Sequence, residues 1–145
     1  PFRGKLDLFY HAEFSFARSR RSDLHTLREV SLHGTHPELR HDLQRLRQAS
    51  YCAALIEQST ETETPIPELY DLFRTGVERF AEEPPAAKWV LAFEARLLGE
   101  LGMAPDPDDA KLTPGARQVL SRLAASDWSA LISLRLSPAQ ERELG

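Results

Sequence analysis

The stretch SDLHTLREVSLHGTHPELRHDLQRLRQASYCAALIEQ, residues 22–58, contains a change of hydrophobic period, and that change decides the fold. Leu24, Thr26, Val30 and Leu32 share one parity, the period of two that marks a half-buried strand, with Leu27 as the exception. Gly34 and Pro37 then punctuate the chain and end the β region. Beyond them Leu39, Leu43, Leu46, Ala49 or Ser50, Ala53 and Ile56 step by three and four, which places them on one side of a helix. The expected organisation is a small β piece over residues 1–33 followed by a helical bundle over 34–145.

Upstream, KLDLFYHAEFSFA (residues 5–17) keeps Leu6, Leu8, Tyr10, Ala12, Phe14 and Phe16 on one parity, as one strand or as two with a bend. RSRRSD (18–23) is polar and predicts a connecting loop. Only two or three strands fit here, and a lone hairpin is marginal in water. Missing strands are expected before Pro1, and both ends of the chain read as cuts in a longer protein.

Downstream, Thr64-Pro65 predicts the start of a second helix with Leu69, Leu72 or Phe73, Gly76, Val77 and Phe80 inward. A glycine is costly inside a helix, so Gly76 is expected to permit close helix contact. Pro84-Pro85 break the chain. A third helix carries Trp89, Val90, Phe93, Leu97 and Leu101 inward and ends at Gly102. Thr113-Pro114 open a fourth helix, Asp127-Trp128 a short fifth with Leu131 and Leu134, and Ser137-Pro138 a sixth, where Gln140 completes a capping box.

The net charge is −4, but it is unevenly placed. Residues 1–50 hold nine Lys/Arg and six Asp/Glu, whereas residues 51–145 hold nine and sixteen. All five histidines also lie in the first part. Such asymmetry points to an anion meeting the N-terminal part, with scatter on a solvated surface as the alternative. The single cysteine, Cys52, rules out an internal disulfide and any multi-cysteine metal cage.

No catalytic motif stands out. G-x-S-x-G, H-E-x-x-H, the P-loop and the Gly-rich dinucleotide turn are all missing from the sequence. Cys52 lies mid-helix beside Tyr51 and reads as a small packing residue. Glu61, Glu63, Asp106, Asp108 and Asp109 fall in expected loops, where solvation explains them. His36 and His41 are five apart and do not share a helix face as zinc-binding i, i+4 pairs do, so no metal site is assigned.

The basic residues are more informative. Arg18, Arg20 and Arg21 lie between two expected strands, where guanidinium groups can bridge phosphates. Lys5 adds charge nearby, and Phe9 sits on the polar parity, placed to stack on a base. The alternative for the loop is plain solvation. Arg40, Gln44, Arg47 and Tyr51 stand at i, i+4, i+7 and i+11, one helix face, with Arg45 close by. Such a stripe fits an acidic peptide or a continued nucleic-acid path, although on the pattern alone a solvated face is the simpler reading.

These stretches also resemble a known family. PFRGKLDLFYHAEFSFARSRRSDLHTLREVSL (1–32) is similar to the join between the oligonucleotide-binding (OB) barrel and the helical domain of RecO, the bacterial recombination mediator. ELRHDLQRLRQASYCAALIEQ (38–58) is similar to that family's first C-terminal helix. AFEARLLGELGMAPD (92–106) resembles a family helix end through Phe93, Leu97, Leu98, Leu101, Gly102 and Pro105. The resemblance implies a mainly α chain: a partial N-terminal β region, the end of an OB-fold barrel, then an α-helical bundle domain. It implies no enzyme activity and no membrane. The implied partners are single- and double-stranded DNA, RecR, the acidic C-terminal tail of single-stranded-DNA-binding protein and, indirectly, RecA. The implied location is the bacterial cytoplasm, at the nucleoid. Many family members carry a four-cysteine zinc ribbon after the proline, but DPDDAKLTPGARQVL (106–120) has no cysteine, so no cofactor is expected. The competing function is a helical module that recruits an acidic tail without touching DNA.

Overall fold

The computed structural model describes residues 3–4, 6–106 and 111–145. The chain divides into two compact units, 1–37 and 38–145. Among the described residues two strands and six α-helices follow in order, mainly α as expected.

In the first unit β1 (His11–Ala17) pairs antiparallel with β2 (Thr26–Gly34). The register sets Ala12 against Leu32, Phe14 against Val30 and Phe16 against Leu27, so one face of the ladder is apolar. Glu13 opposes Ser31 and Ser15 opposes Glu29 on the other face. The register shifts between Ser15 and Phe16, and this irregularity explains Leu27. An extra residue on β2 returns Leu27 to the apolar face despite its odd parity.

Two strand expectations need correction. The alternation from Leu6 to Tyr10 is not strand. The Asp7 side chain accepts from the Leu8 amide at 2.8 Å, Tyr10 N–H donates to Asp7 O at 3.3 Å, and Phe9 adopts φ 60°. An aspartate that captures neighbouring amides offers the backbone a turn in place of a ladder. Leu24 likewise lies outside β2, because the Ser22 hydroxyl both accepts from Leu24 N–H and donates to Leu24 O at 3.1 Å.

In the second unit the expected single helix after Pro37 is two. A short α1 (Glu38–His41) is followed by α2 (Leu43–Ser59). Asp42 between them is extended, and its carboxylate accepts from Gln44 N–H and Arg45 N–H. A capping aspartate satisfies the open amides of a helix start, so it ends one helix and begins the next. Leu39, Ala49 and Cys52 are buried, while Leu43 is exposed, contrary to its place in the expected stripe.

The second expected helix starts later than Thr64. Here α3 (Pro67–Glu82) uses Pro67 in its first turn and has no side-chain cap. Its buried residues are Leu69, Gly76, Val77, Phe80 and Ala81. A methyl on Gly76 would meet the Phe93 ring at 3.2 Å, so glycine lets α3 and α4 (Ala87–Glu100) approach closely. Helix α4 is the centre of the unit and packs against α2, α3 and the two later helices, α5 (Pro114–Ala125) and α6 (Pro138–Leu144). Its buried residues lie all around its axis, the pattern of a helix inside a core. At its end Met103 N–H donates to Leu98 O and Gly102 N–H to Gly99 O, with Gly102 at φ 71°. That is a Schellman ending, which requires the left-handed residue that glycine supplies.

Thr113 caps α5 (Pro114–Ala125) through the Ala116 amide. The expected fifth helix is one 3-10 turn (Trp128–Leu131), with Leu131 and Leu134 buried as expected. Ser137 and Gln140 form the expected capping box of α6 (Pro138–Leu144).

Candidate nucleic-acid interface and partner face

The loop between β1 and β2 is built by its serines. Ser19 Oγ accepts from Arg21 N–H and Ser22 N–H, each at 3.2 Å, and turns the backbone on itself. Short hydroxyl side chains do this by mimicking a backbone turn. Arg18, Arg20 and Arg21 are all exposed on this loop. Ser19 N–H donates to His25 Nδ1 at 3.5 Å, and the His25 ring stacks on Phe16 at 5.5 Å with 14° between planes. Neither Phe16 nor His25 was singled out from the sequence. The alternation places Phe14 and Phe16 on a half-buried face, yet Phe16 is 51% exposed and Phe14 47%. Phe9 is half-buried, in the turn before β1. Lys5 lies outside the described residues.

At the other end of the hairpin the His11 and His33 rings lie 5.4 Å apart, and His33 Nε2 is 4.0 Å from Glu13 Oε2. Among the described residues no group of three His, Cys, Asp or Glu side chains is placed to hold a metal ion. A four-cysteine metal site does not fit this chain, which has one cysteine. Cys52 is fully buried, and that burial first, with Glu94 second, pushes its thiol up to about 12.

The face expected on the first helix is divided by the break at Asp42. Arg40 stays on α1, while Gln44, Arg47 and Tyr51 are exposed on α2. Arg45 turns inward. Its guanidinium donates to Phe80 O at 3.2 Å and to Ala81 O, and its Nε lies 3.5 Å from Asp42. It therefore holds the end of α3 rather than facing solvent. Arg47 and Tyr51 come together with Gln48, Ala87, Val90 and Leu91 around a hollow of about 430 Å³. Glu94 and Glu141 also line it, so one guanidinium faces two carboxylates. Tyr51 Oη donates to Glu94 Oε1 at 2.5 Å. That hydrogen bond, helped by burial, pushes the phenol up to about 12.

Two further cations act as Arg45 does. Lys88 is buried, and its Nζ donates to the carbonyls of Leu131, Ile132 and Leu134 at 2.8, 2.7 and 3.1 Å. It also sits 4.5 Å from the Trp89 ring centroid. Arg96 donates to Leu123 O at 3.0 Å and Ser126 O at 2.5 Å, over the Trp128 ring. Carbonyls at the end of a helical segment lack intrahelical partners and carry partial negative charge, so a cation from another element completes them. Among the described residues no helix is long and apolar enough to cross a membrane.

Comparison with known proteins matches this helical architecture to one family. The family model "Recombination protein O C terminal" covers residues 40–110. The DNA repair protein RecO of Exiguobacterium sibiricum is 31% identical over 99 residues, 67% of this chain and 38% of that protein. Its counterpart from Pelobacter propionicus is 28% identical over 104 residues, 72% of this chain and 42% of that protein. That of Syntrophus aciditrophicus is 30% identical over 121 residues, 80% and 47%. The chain spans about half the length of these curated relatives. The matched segment begins at Arg40 and includes the α3–α4 contact at Gly76 and the Schellman ending at Gly102, so the packing core of the second unit carries the likeness: the chain belongs to the RecO family of DNA repair and recombination proteins.

Proposed function

We propose that this chain works as RecO mediators do: it binds single- and double-stranded DNA, promotes annealing and, with RecR, helps load RecA onto single strands coated with single-stranded-DNA-binding protein. The role is one of binding, without chemistry and without a cofactor, in the bacterial cytoplasm at the nucleoid. The observation that supports it best is the exposed Arg18–Arg21 loop in a member of this family. Residues 1–37 hold six Lys/Arg against four Asp/Glu, whereas residues 38–145 hold twelve against eighteen, so the hairpin unit is the one with a positive balance.

Arginine contacts to phosphate release counterions and make affinity fall with salt. Replacing Arg18, Arg20 and Arg21 by alanine in the full-length protein is expected to reduce the slope of log affinity against log salt by roughly two on single strands and nearly ~3 on duplex. An unchanged slope and affinity would remove the loop from the interface.

The second reading is recruitment of a partner's acidic tail. The hollow beside Arg47, Tyr51 and Val90 supports it with an apolar floor and one guanidinium for the peptide's apolar end and terminal carboxylate, while Glu94 and Glu141 oppose further acidic residues there. Titration with such a peptide tests it, and Arg47→Glu should abolish binding. Binding that survives the charge reversal places the tail elsewhere.

A further inference from the structure

We propose that Phe16 and His25 form a stacking platform for an unpaired nucleobase, which makes the arginine loop select single strands over duplex. This rests on the DNA-binding reading above and assigns it a specificity element. Three observations carry it. Phe16 is 51% exposed on the apolar face of the ladder, a face on which Phe14 and Leu32 are exposed as well. Its ring lies nearly parallel to that of His25, at 14°. His25 is tied to the arginine loop itself through Ser19 N–H.

Phe16 stands one residue before the end of β1 and His25 one residue before β2, so the ring pair closes the base of the loop that carries the arginines. The register shift falls on β2, where the extra residue brings Leu27 opposite Phe16, while Phe16 keeps the face it shares with Phe14. A flat, exposed ring next to guanidinium groups is the combination that holds single strands, with phosphates on the cations and a base on the ring. A duplex keeps its bases stacked inside and offers the ring nothing, while its phosphates remain available to the arginines.

The test uses the full-length protein, an oligothymidylate of roughly 15 nucleotides and a duplex of similar length. Phe16→Leu keeps apolar bulk but removes the flat ring, and Phe16→Tyr restores the ring. The first is expected to weaken single-strand binding roughly 5- to 100-fold, with duplex affinity and both salt slopes unchanged. Phe16→Tyr and the native protein should bind alike. Unchanged single-strand affinity in Phe16→Leu overturns the proposal, as does equal loss on both DNAs. Loss of the folded state in Phe16→Leu, seen by circular dichroism, also overturns it, because the ring would then be packing rather than platform. The triple arginine variant separates the two readings. If it lowers affinity and slope while Phe16→Leu changes nothing, the platform alone falls.

Discussion

Cationic side chains take opposite roles in the two units. In the hairpin Arg18, Arg20 and Arg21 ride on an exposed loop shaped by serine hydroxyls. In the helical unit Arg45, Lys88 and Arg96 reach across to backbone carbonyls at the ends of other elements. The difference shows why formal charge is a poor guide to what a protein can bind. Part of the helical unit's positive charge is already directed at its own backbone, which leaves that unit even less attractive to a polyanion than its count implies. On the proposed reading the hairpin needs only a small excess, because its arginines are gathered and exposed.

The largest test of this contrast is Lys88→Met. It keeps the stem but removes the ammonium from three carbonyls, of which Leu131 O retains the Leu134 amide while Leu134 O, buried, loses the Lys88 donor. The expected loss is about 2–4 kcal/mol in urea unfolding. The pH dependence carries a second signature. Burial, reinforced by Arg135, lowers the Lys88 pKa from its ordinary 10.5. Between that lowered value and 10.5 the unfolded chain binds more protons than the native one, so this group makes stability rise with pH there. Lys88→Met should erase that alkaline rise. A loss under ~0.5 kcal/mol would show that the ammonium is incidental to the fold.

Much of this architecture was legible before any coordinates. The change of period after Pro37, the close contact at Gly76, the ending at Gly102 and the caps at Thr113 and Ser137 all follow from local chemistry, and all are present. Three of the failures share one cause. Asp7, Ser22 and Asp42 each capture nearby backbone groups and override the apolar spacing around them. That is why the alternation before His11 is a turn, why Leu24 is loop and why the first helix is two. The site was half legible. The arginine cluster shows itself in the sequence, but the Phe16–His25 stack depends on a cross-strand register with a shift that no period reveals. Arg45 looked like part of a binding stripe because its target carbonyls lie 35 and 36 residues away.

A smaller effect is expected at Tyr51, which lies between these two kinds of behaviour: exposed, yet bonded to Glu94. Tyr51→Phe should cost about 0.5–1 kcal/mol near neutral pH, the worth of one solvent-accessible hydrogen bond. The native phenol is raised from 10.0 to about 12, so its stabilisation is complete below pH 10 and is lost as pH climbs toward 12. A difference ultraviolet titration of the two proteins should show one phenolate step missing from the variant near pH 12. A missing step near pH 10 would mean that the bond to Glu94 does not persist in solution.

The smallest effect on stability belongs to the residues with the largest expected effect on binding. Alanine at Arg18, Arg20 and Arg21 should leave the unfolding midpoint within about 0.5 kcal/mol of the native protein. The Ser19 and Ser22 hydroxyls hold the loop's backbone, and the substitutions leave them in place. A stable triple variant with a reduced salt slope is what distinguishes a binding loop from a structural one. Marked destabilisation would place these arginines in the same class as Lys88, directed at the protein's own backbone, and the contrast between the two units would dissolve.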